Sequence, residues 1–303
     1  MMKMLKLSGV LFSGLLMVFL IAFTGTAIYA NLQFKRKIPD RPLYAITADL
    51  TPEGIARGKY LMEEAMDCTN ACHTPEGGSP LSGVVEEIHQ GPIQITFSAP
   101  NLTPDIPTGL GGWTDAEIAR AIREGVDKDG TALVVMPSYN YGSLSDADVS
   151  AIIGYLRSLE PVNNPIPPFK ANTFAKMMML LGAFGPDPVQ PAITAAQVTP
   201  EIGTINYGAY LVKLGACSDC HGANLAGGKL PFSEPDAPPA ANLTPGGELI
   251  GWTVEDFIRA VREGVKPNGK TLADTMPRYG TSPEDLATIF SYLQTLPAAQ
   301  PKQ

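Results

Sequence analysis

Two cysteine–histidine segments constrain this chain more than any other feature: Cys68-Thr69-Asn70-Ala71-Cys72-His73 and Cys217-Ser218-Asp219-Cys220-His221. Each belongs to the same ordered series of blocks. Gly58-Lys59-Tyr60-Leu61 leads into the first segment and Gly208-Ala209-Tyr210-Leu211 into the second. Downstream, Ala99-Pro100-Asn101-Leu102-Thr103-Pro104 matches Ala240-Ala241-Asn242-Leu243-Thr244-Pro245, and Gly112-Trp113-Thr114 matches Gly251-Trp252-Thr253. Met136-Pro137-Ser138-Tyr139 then matches Met276-Pro277-Arg278-Tyr279. Both series close on a helical apolar pattern, Val149, Ile152, Ile153 and Leu156 against Leu286, Ile289, Phe290 and Leu293. Blocks that recur in one order describe a duplicated unit.

The local signals inside each copy are helical. Thr51-Pro52-Glu53 and Thr199-Pro200-Glu201 each offer an N-cap followed by proline at the first helical position. Thr114 with Glu117 and Thr253 with Asp256 have capping-box spacing, and Gly125 and Gly264 stand where those helices should end. The expectation is an all-α protein: an anchor and tether over residues 1–50, one domain over 51–160, a proline-rich linker over 161–198 and a second domain over 199–303. The linker contains the apolar run from Phe174 to Leu181, interrupted by Lys176 and too short to span a membrane. Packing against a domain, or docking of a partner subunit on its methionines, would both use such a run.

The two segments use all four cysteines and two of the three histidines. C-x-x-C-H reads as a covalent haem c site, in which two thiols add to the haem vinyls and the next histidine ligates the iron. Cysteines can instead form disulfides in an exported protein or a zinc site in a cytosolic one, but histidine directly after each pair argues against both. The longer spacer of the first segment has to bulge, which leaves two-point attachment, a single thioether and a disulfide as readings of Cys68 and Cys72. Met136 and Met276, each followed by a stiffening proline, are the candidate second iron ligands opposite His73 and His221. Trp113, Trp252, Arg123 and Arg262 read either as partners of haem propionates or as core tryptophans and solvated arginines. His89, unmatched in the repeat, falls in an expected loop and reads as a surface histidine or a spare ligand.

The uncharged run from Leu7 to Ala30 exceeds the roughly 20 residues that a membrane-spanning helix needs. Lys3 and Lys6 precede it and Lys35-Arg36-Lys37 follow, so flanking charge does not orient it. Haem is attached to c-type proteins outside the cytoplasmic membrane, which places the bulk of the chain on the periplasmic side of a single-pass anchor. Cleavage after Ala27 or Ala30 is the competing reading. Beyond the tether acidic residues outnumber basic ones, which argues against a nucleic-acid partner.

Residues 51–160 and 199–297 together resemble two class I c-type cytochrome domains in tandem. Asn-Leu-Thr-Pro, Gly-Trp-Thr, the Arg-Glu-Gly-Val helix end and Met-Pro are similar to the cytochrome c subunits of membrane-bound periplasmic alcohol and gluconate dehydrogenases. Many of those subunits carry three haem domains, where this chain has two and an N-terminal anchor. The resemblance implies two covalent haem c groups and electron transfer from a periplasmic dehydrogenase or quinol-oxidising complex to another cytochrome or a terminal oxidase, without catalysis by the chain itself. The rival from another class is a dihaem enzyme, of peroxidase or thiosulfate-oxidising type, with one open iron.

Overall fold

The computed structural model describes residues 2–39, 41–229 and 238–299. Helix α1 (Met2–Gln33) contains the apolar span Phe12–Gln33, 22 residues of mean hydropathy 1.9 and almost entirely exposed. By length and composition that span suits a membrane anchor or a signal sequence. The tether after it is irregular but bound along its length to the first copy. Ile38 N donates to Gly130 O at 2.8 Å, Arg41 pairs with Glu124 at 3.1 Å and Asp49 N donates to Ser150 O at 2.9 Å.

The first copy then runs through α2 (Pro52–Tyr60), two wide-pitched π turns at Leu61–Ala65 and Thr69–His73, α3 (Asp115–Glu124), α4 (Ser138–Tyr141) and α5 (Asp146–Ser158). After α6 (Thr173–Leu180), the second copy supplies α7 (Ile205–Leu214), α8 (Cys217–His221), α9 (Val254–Glu263) and α10 (Pro283–Thr295). Thr114 and Thr253 form complete capping boxes, and left-handed Gly125 and Gly264 end the helices as the sequence predicts. Thr51 caps α2, but its expected counterpart does not cap α7. Left-handed Gly203 turns the chain first, Thr204 caps the helix at Tyr207 N, and Thr199 bonds Ser145 Oγ at 2.6 Å instead.

All-α is too simple a description. Between the first Cys-His segment and α3, β1 (Val84–Gln90) and β2 (Ile93–Ala99) form an antiparallel hairpin in register Val84↔Ala99 to Gln90↔Ile93. Linker residues β3 (Lys170–Ala171) extend it through Ile95↔Ala171. Gly91, at φ 55, makes the turn, while Ile93 and Ile95 face inward onto Ala175 of α6. His89 is exposed on β1 opposite Gln94, not in a loop. The linker is therefore structured: its apolar run meets this sheet at Ala175 and lies on the last turns of α1, where Lys176 Nζ donates to Asn31 Oδ1 at 2.8 Å, while Phe174 and Leu181 stay exposed.

One core spans both copies, with Leu61, Ile118 and Ile152 in the same cluster as Leu211, Phe257 and Leu293. Each copy is built on a close helix crossing, α2 on α5 and α7 on α10. The crossing points are Gly58, where a Cβ would run into the Ala151 carbonyl, and Gly208, where it would meet Thr288 O and lie 2.8 Å from Tyr292 Cβ. The copies then join through matched contacts. Tyr60 donates to Asp285 Oδ2 at 2.6 Å and receives Ser282 N–H; Tyr210 donates to Asp148 Oδ2 at 2.7 Å and receives Ser145 N–H. This is the pattern of an isologous interface inside one chain.

Gly58→Ala and Gly208→Ala are each expected to lower stability by about 1–3 kcal/mol through overpacking at a backbone crossing. Gly112→Ala, whose Cβ would have 3.8 Å to its nearest neighbour, should change it little. Chemical denaturation of the three variants measures the difference.

Candidate functional site

The two Cys-His segments differ by one residue yet end in the same arrangement. The shorter one is α8, one turn of α-helix, entered through left-handed Ala216 at φ 52. The longer one is entered through left-handed Asp67 at φ 50, and its extra residue is absorbed by the π turn Thr69–His73, closed by Thr74 N donating to Thr69 O at 3.0 Å. A second pair of left-handed residues, Leu81 and Leu225, follows the histidines. Non-glycine residues in this region cost on the order of 1–3 kcal/mol each and persist only where surrounding contacts over-determine them. Here they do: Leu102 N bonds Leu81 O at 2.9 Å, and Leu243 N bonds Leu225 O at 2.8 Å.

Both histidines are buried and anchored on one ring nitrogen. His73 Nδ1 lies 3.0 Å from Pro100 O and His221 Nδ1 lies 2.7 Å from Ala241 O. A carbonyl only accepts, so Nδ1 carries the proton and Nε2 keeps its lone pair for a metal. Burial holds both imidazoles below their usual pKa, against the opposing effect of the carbonyls. The carbonyls are set by the repeated Asn-Leu-Thr-Pro turn. Asn101 Oδ1 accepts from Thr103 N and Oγ1 while its Nδ2 donates to Val162 O; Asn242 Oδ1 accepts from Thr244 N and Oγ1 while its Nδ2 donates to Ala299 O. These Asx turns immediately follow the accepting residues. The sequence marks the turns as repeated, but not as the support of the histidines.

All four cysteines are free thiols. Burial pushes Cys68 and Cys217 up to about 12 and raises Cys72 and Cys220 as well. Met136 lies on the loop entering α4 and packs, half-buried, against the shared core; Met276 is half-buried on the matching loop. Paired thiols beside a neutral imidazole with a free Nε2 are the donor set that covalent haem c takes. Trp113 and Trp252 pack against the core. The matched arginines diverge. Arg123, 1% exposed, is held by Asp146 at 2.6 Å, whereas Arg262 lines a cavity of about 480 Å³ beside the first segment.

Two phenols lie between the segments, a feature that sequence reading missed. Tyr141 is buried, and burial followed by nearby Cys68 and Cys72 raises its pKa well above the usual value. Tyr279 donates to Gly215 O at 2.9 Å, and burial followed by Cys217 raises it likewise. Gly215, just before the second segment, faces the first copy: a Cβ there would lie 3.4 Å from Ala65 O.

Comparison with known proteins finds cytochromes c. Residues 53–156 are a cytochrome c family domain, matching the family described as cytochrome c oxidase, cbb3-type, subunit III. Over most of its length the chain is similar to the gluconate 2-dehydrogenase cytochrome c subunit of Pantoea cypripedii, at 30% identity over 82% of this chain and 61% of that protein. It is 32% identical to one of the subunits of nicotinate dehydrogenase from Pseudomonas putida, over 84% of this chain but 22% of that protein. A diheme cytochrome c-type protein of Cereibacter sphaeroides is 28% identical over 68% of this chain and 73% of its own length. The chain thus spans about three-fifths of the gluconate dehydrogenase cytochrome and about a fifth of the nicotinate dehydrogenase protein.

Asn101→Ala and Asn242→Ala are each expected to cost about 1–3 kcal/mol, because buried partners lose their hydrogen bonds. Each should also weaken protection of the neighbouring histidine Nδ1 proton. Denaturant melts and nitrogen-detected NMR of the imidazoles measure the two effects.

Proposed function

We propose that this chain is a membrane-anchored dihaem c-type cytochrome, with one haem c held by Cys68, Cys72 and His73 and the other by Cys217, Cys220 and His221. Met136 and Met276 complete the iron coordination in domains spanning residues 51–160 and 199–303, joined by the linker 161–198. The observation that carries this reading is the shared histidine geometry: each imidazole has Nδ1 fixed on a carbonyl and follows two free thiols, despite the unequal spacers.

Bound haem supplies a one-electron iron couple. The chain's residues set how that couple behaves. Buried histidines with protonated Nδ1 present Nε2 in one orientation, and methionine as the second ligand favours reduced iron and raises the potential. With both positions filled, small oxidants have no open iron, so the chain conducts electrons and does not catalyse. Neutral phenols near the cysteines of both segments suit exchange of electrons between the two haems.

Relatives named as dehydrogenase cytochrome subunits support a dehydrogenase as electron donor, which we place in the periplasm, with another cytochrome or a terminal oxidase as acceptor. For the anchor, α1 crosses the inner membrane and leaves the haem domains outside the cytoplasm. The contacts at its far end support this role: Lys37 Nζ bonds Asp129 O and Thr131 Oγ1 at 2.8 and 2.7 Å, which clamps the first domain close to the helix exit.

The full chain, produced with haem-attachment machinery, should gain the mass of two haems, remain with the membrane fraction and fail to bind carbon monoxide when reduced. One haem, or strong carbon monoxide binding by the unaltered protein, would overturn the two-station carrier. Met136→Ala and Met276→Ala should each open one iron to carbon monoxide and lower its potential by on the order of 0.1 V, within the roughly 0.8 V that axial ligation spans. Potentiometric titration followed by absorbance measures the shift.

A further inference from the structure

The seam between the copies is reciprocal at its tyrosines but not at the loops after the two methionines. In the first copy, Asn140, 3% exposed, donates Nδ2–H to Asp219 Oδ2 at 2.9 Å, and Tyr139 donates its hydroxyl to the same oxygen at 3.1 Å. Asp219 lies between Cys217 and Cys220. Two donors beside one candidate ligand therefore converge on a carboxylate inside the opposite Cys-His helix. The matching position in the second copy has no such device. Gly280 stands where Asn140 would be, Tyr279 turns to Gly215 O within its own copy, and the cavity of about 480 Å³ opens there between Asn70, Gly280 and Arg278.

The contact reaches Met136 through a short, stiff path. Asn140 N donates to Pro137 O at 2.9 Å, Ser138 N donates to Met136 O at 2.8 Å, and Ser138 Oγ ties the same turn to Ala121 O. A buried amide that loses its acceptor is costly to leave unpaired, so α4 follows Asp219. We propose that Asp219 is a positioning residue for the opposite domain: through Tyr139 and Asn140 it holds the Met136 loop, so that the second Cys-His helix sets how firmly the first iron keeps its thioether ligand. This rests on the two-haem reading above.

The test uses the full haem-loaded chain. Asp219→Ala should weaken the thioether–iron charge-transfer band of the first haem and lower that haem's midpoint potential. Asp219→Asn, which keeps an acceptor oxygen, should retain most of both. Tyr139→Phe combined with Asn140→Ala should reproduce the loss and add nothing to Asp219→Ala, because all three residues serve one contact. Should Asp219→Ala fail to load haem, that pair carries the same test from the other side. In a Cys68→Ala, Cys72→Ala background, which removes attachment at the first site, the shift should vanish. An unchanged band and potential in both sets of variants, or a shift that survives in that background, overturns the proposal. Absence of haem from the unaltered protein in a pyridine haemochrome assay would instead strike the two-haem reading.

Discussion

Asp148 is the charge around which the two copies are joined. At 3% exposure it has little water to solvate it, and a carboxylate in that position is tolerable only when its oxygens are filled by strong donors. Arg57 supplies a two-point contact at 2.8 and 3.2 Å and Tyr210 a third bond at 2.7 Å. Arg57 belongs to the first copy and Tyr210 to the second, so satisfying this one carboxylate fixes α2, α5 and α7 together. Its counterpart Asp285 is served by Tyr60, whose phenol is pushed up to about 12, first by burial and then by the hydrogen bond to Asp285. That phenol remains a donor through the physiological range. Arg57 also reaches Tyr207 Oη at 3.3 Å, the residue that stands at its own place in the second copy. The contact therefore lies where the two copies exchange roles.

The seam in turn decides where the Cys-His segments lie. Each is entered from a helix locked at a glycine crossing, Gly58 on α5 or Gly208 on α10, and each leaves that helix through a single left-handed residue. Because the entry is fixed, an added residue in the spacer has to be taken up within the segment itself. A π turn does this at small cost in hydrogen bonding, and His73 still reaches its carbonyl. The unequal spacing that makes the first segment look irregular in sequence is thus local. It alters the pitch of one turn and leaves the histidine anchored.

The frame was legible in sequence where local chemistry alone decides it. The capping boxes at Thr114 and Thr253 and the glycine ends at Gly125 and Gly264 need only neighbours three or four residues away, and the duplicated blocks exposed the matched histidines and methionines. Features set by distant partners were not legible. Thr199 carries the same cap signature as Thr51, yet Ser145 takes its hydroxyl and the helix starts later. The hairpin from Val84 to Ala99 was hidden because Val85, Glu86 and Glu87 break the alternation on the exposed strand, while only Ile93, Ile95 and Phe97 keep it. Arg123 and Arg262 share one repeat position, but Asp146 buries the first. Nothing within the helix distinguishes them.

Duplication explains why the frame is doubled, and the seam explains why the copies need not behave alike. A residue within a copy's own frame, such as the Asn of the Asn-Leu-Thr-Pro turn, has the same task twice and keeps the same partners twice. A residue at the seam meets the other copy instead, and there the pair Asn140 and Gly280 or the pair Asp219 and Asn70 can differ without disturbing either histidine. Two copies with the same histidine anchor can in this way acquire different loops after their methionines. The loop after Met136 is tied across the seam to Asp219, whereas the loop after Met276 bonds Gly215 O in its own copy and reaches the first copy at Glu64 O, so the seam is where this duplicated fold departs from its own symmetry.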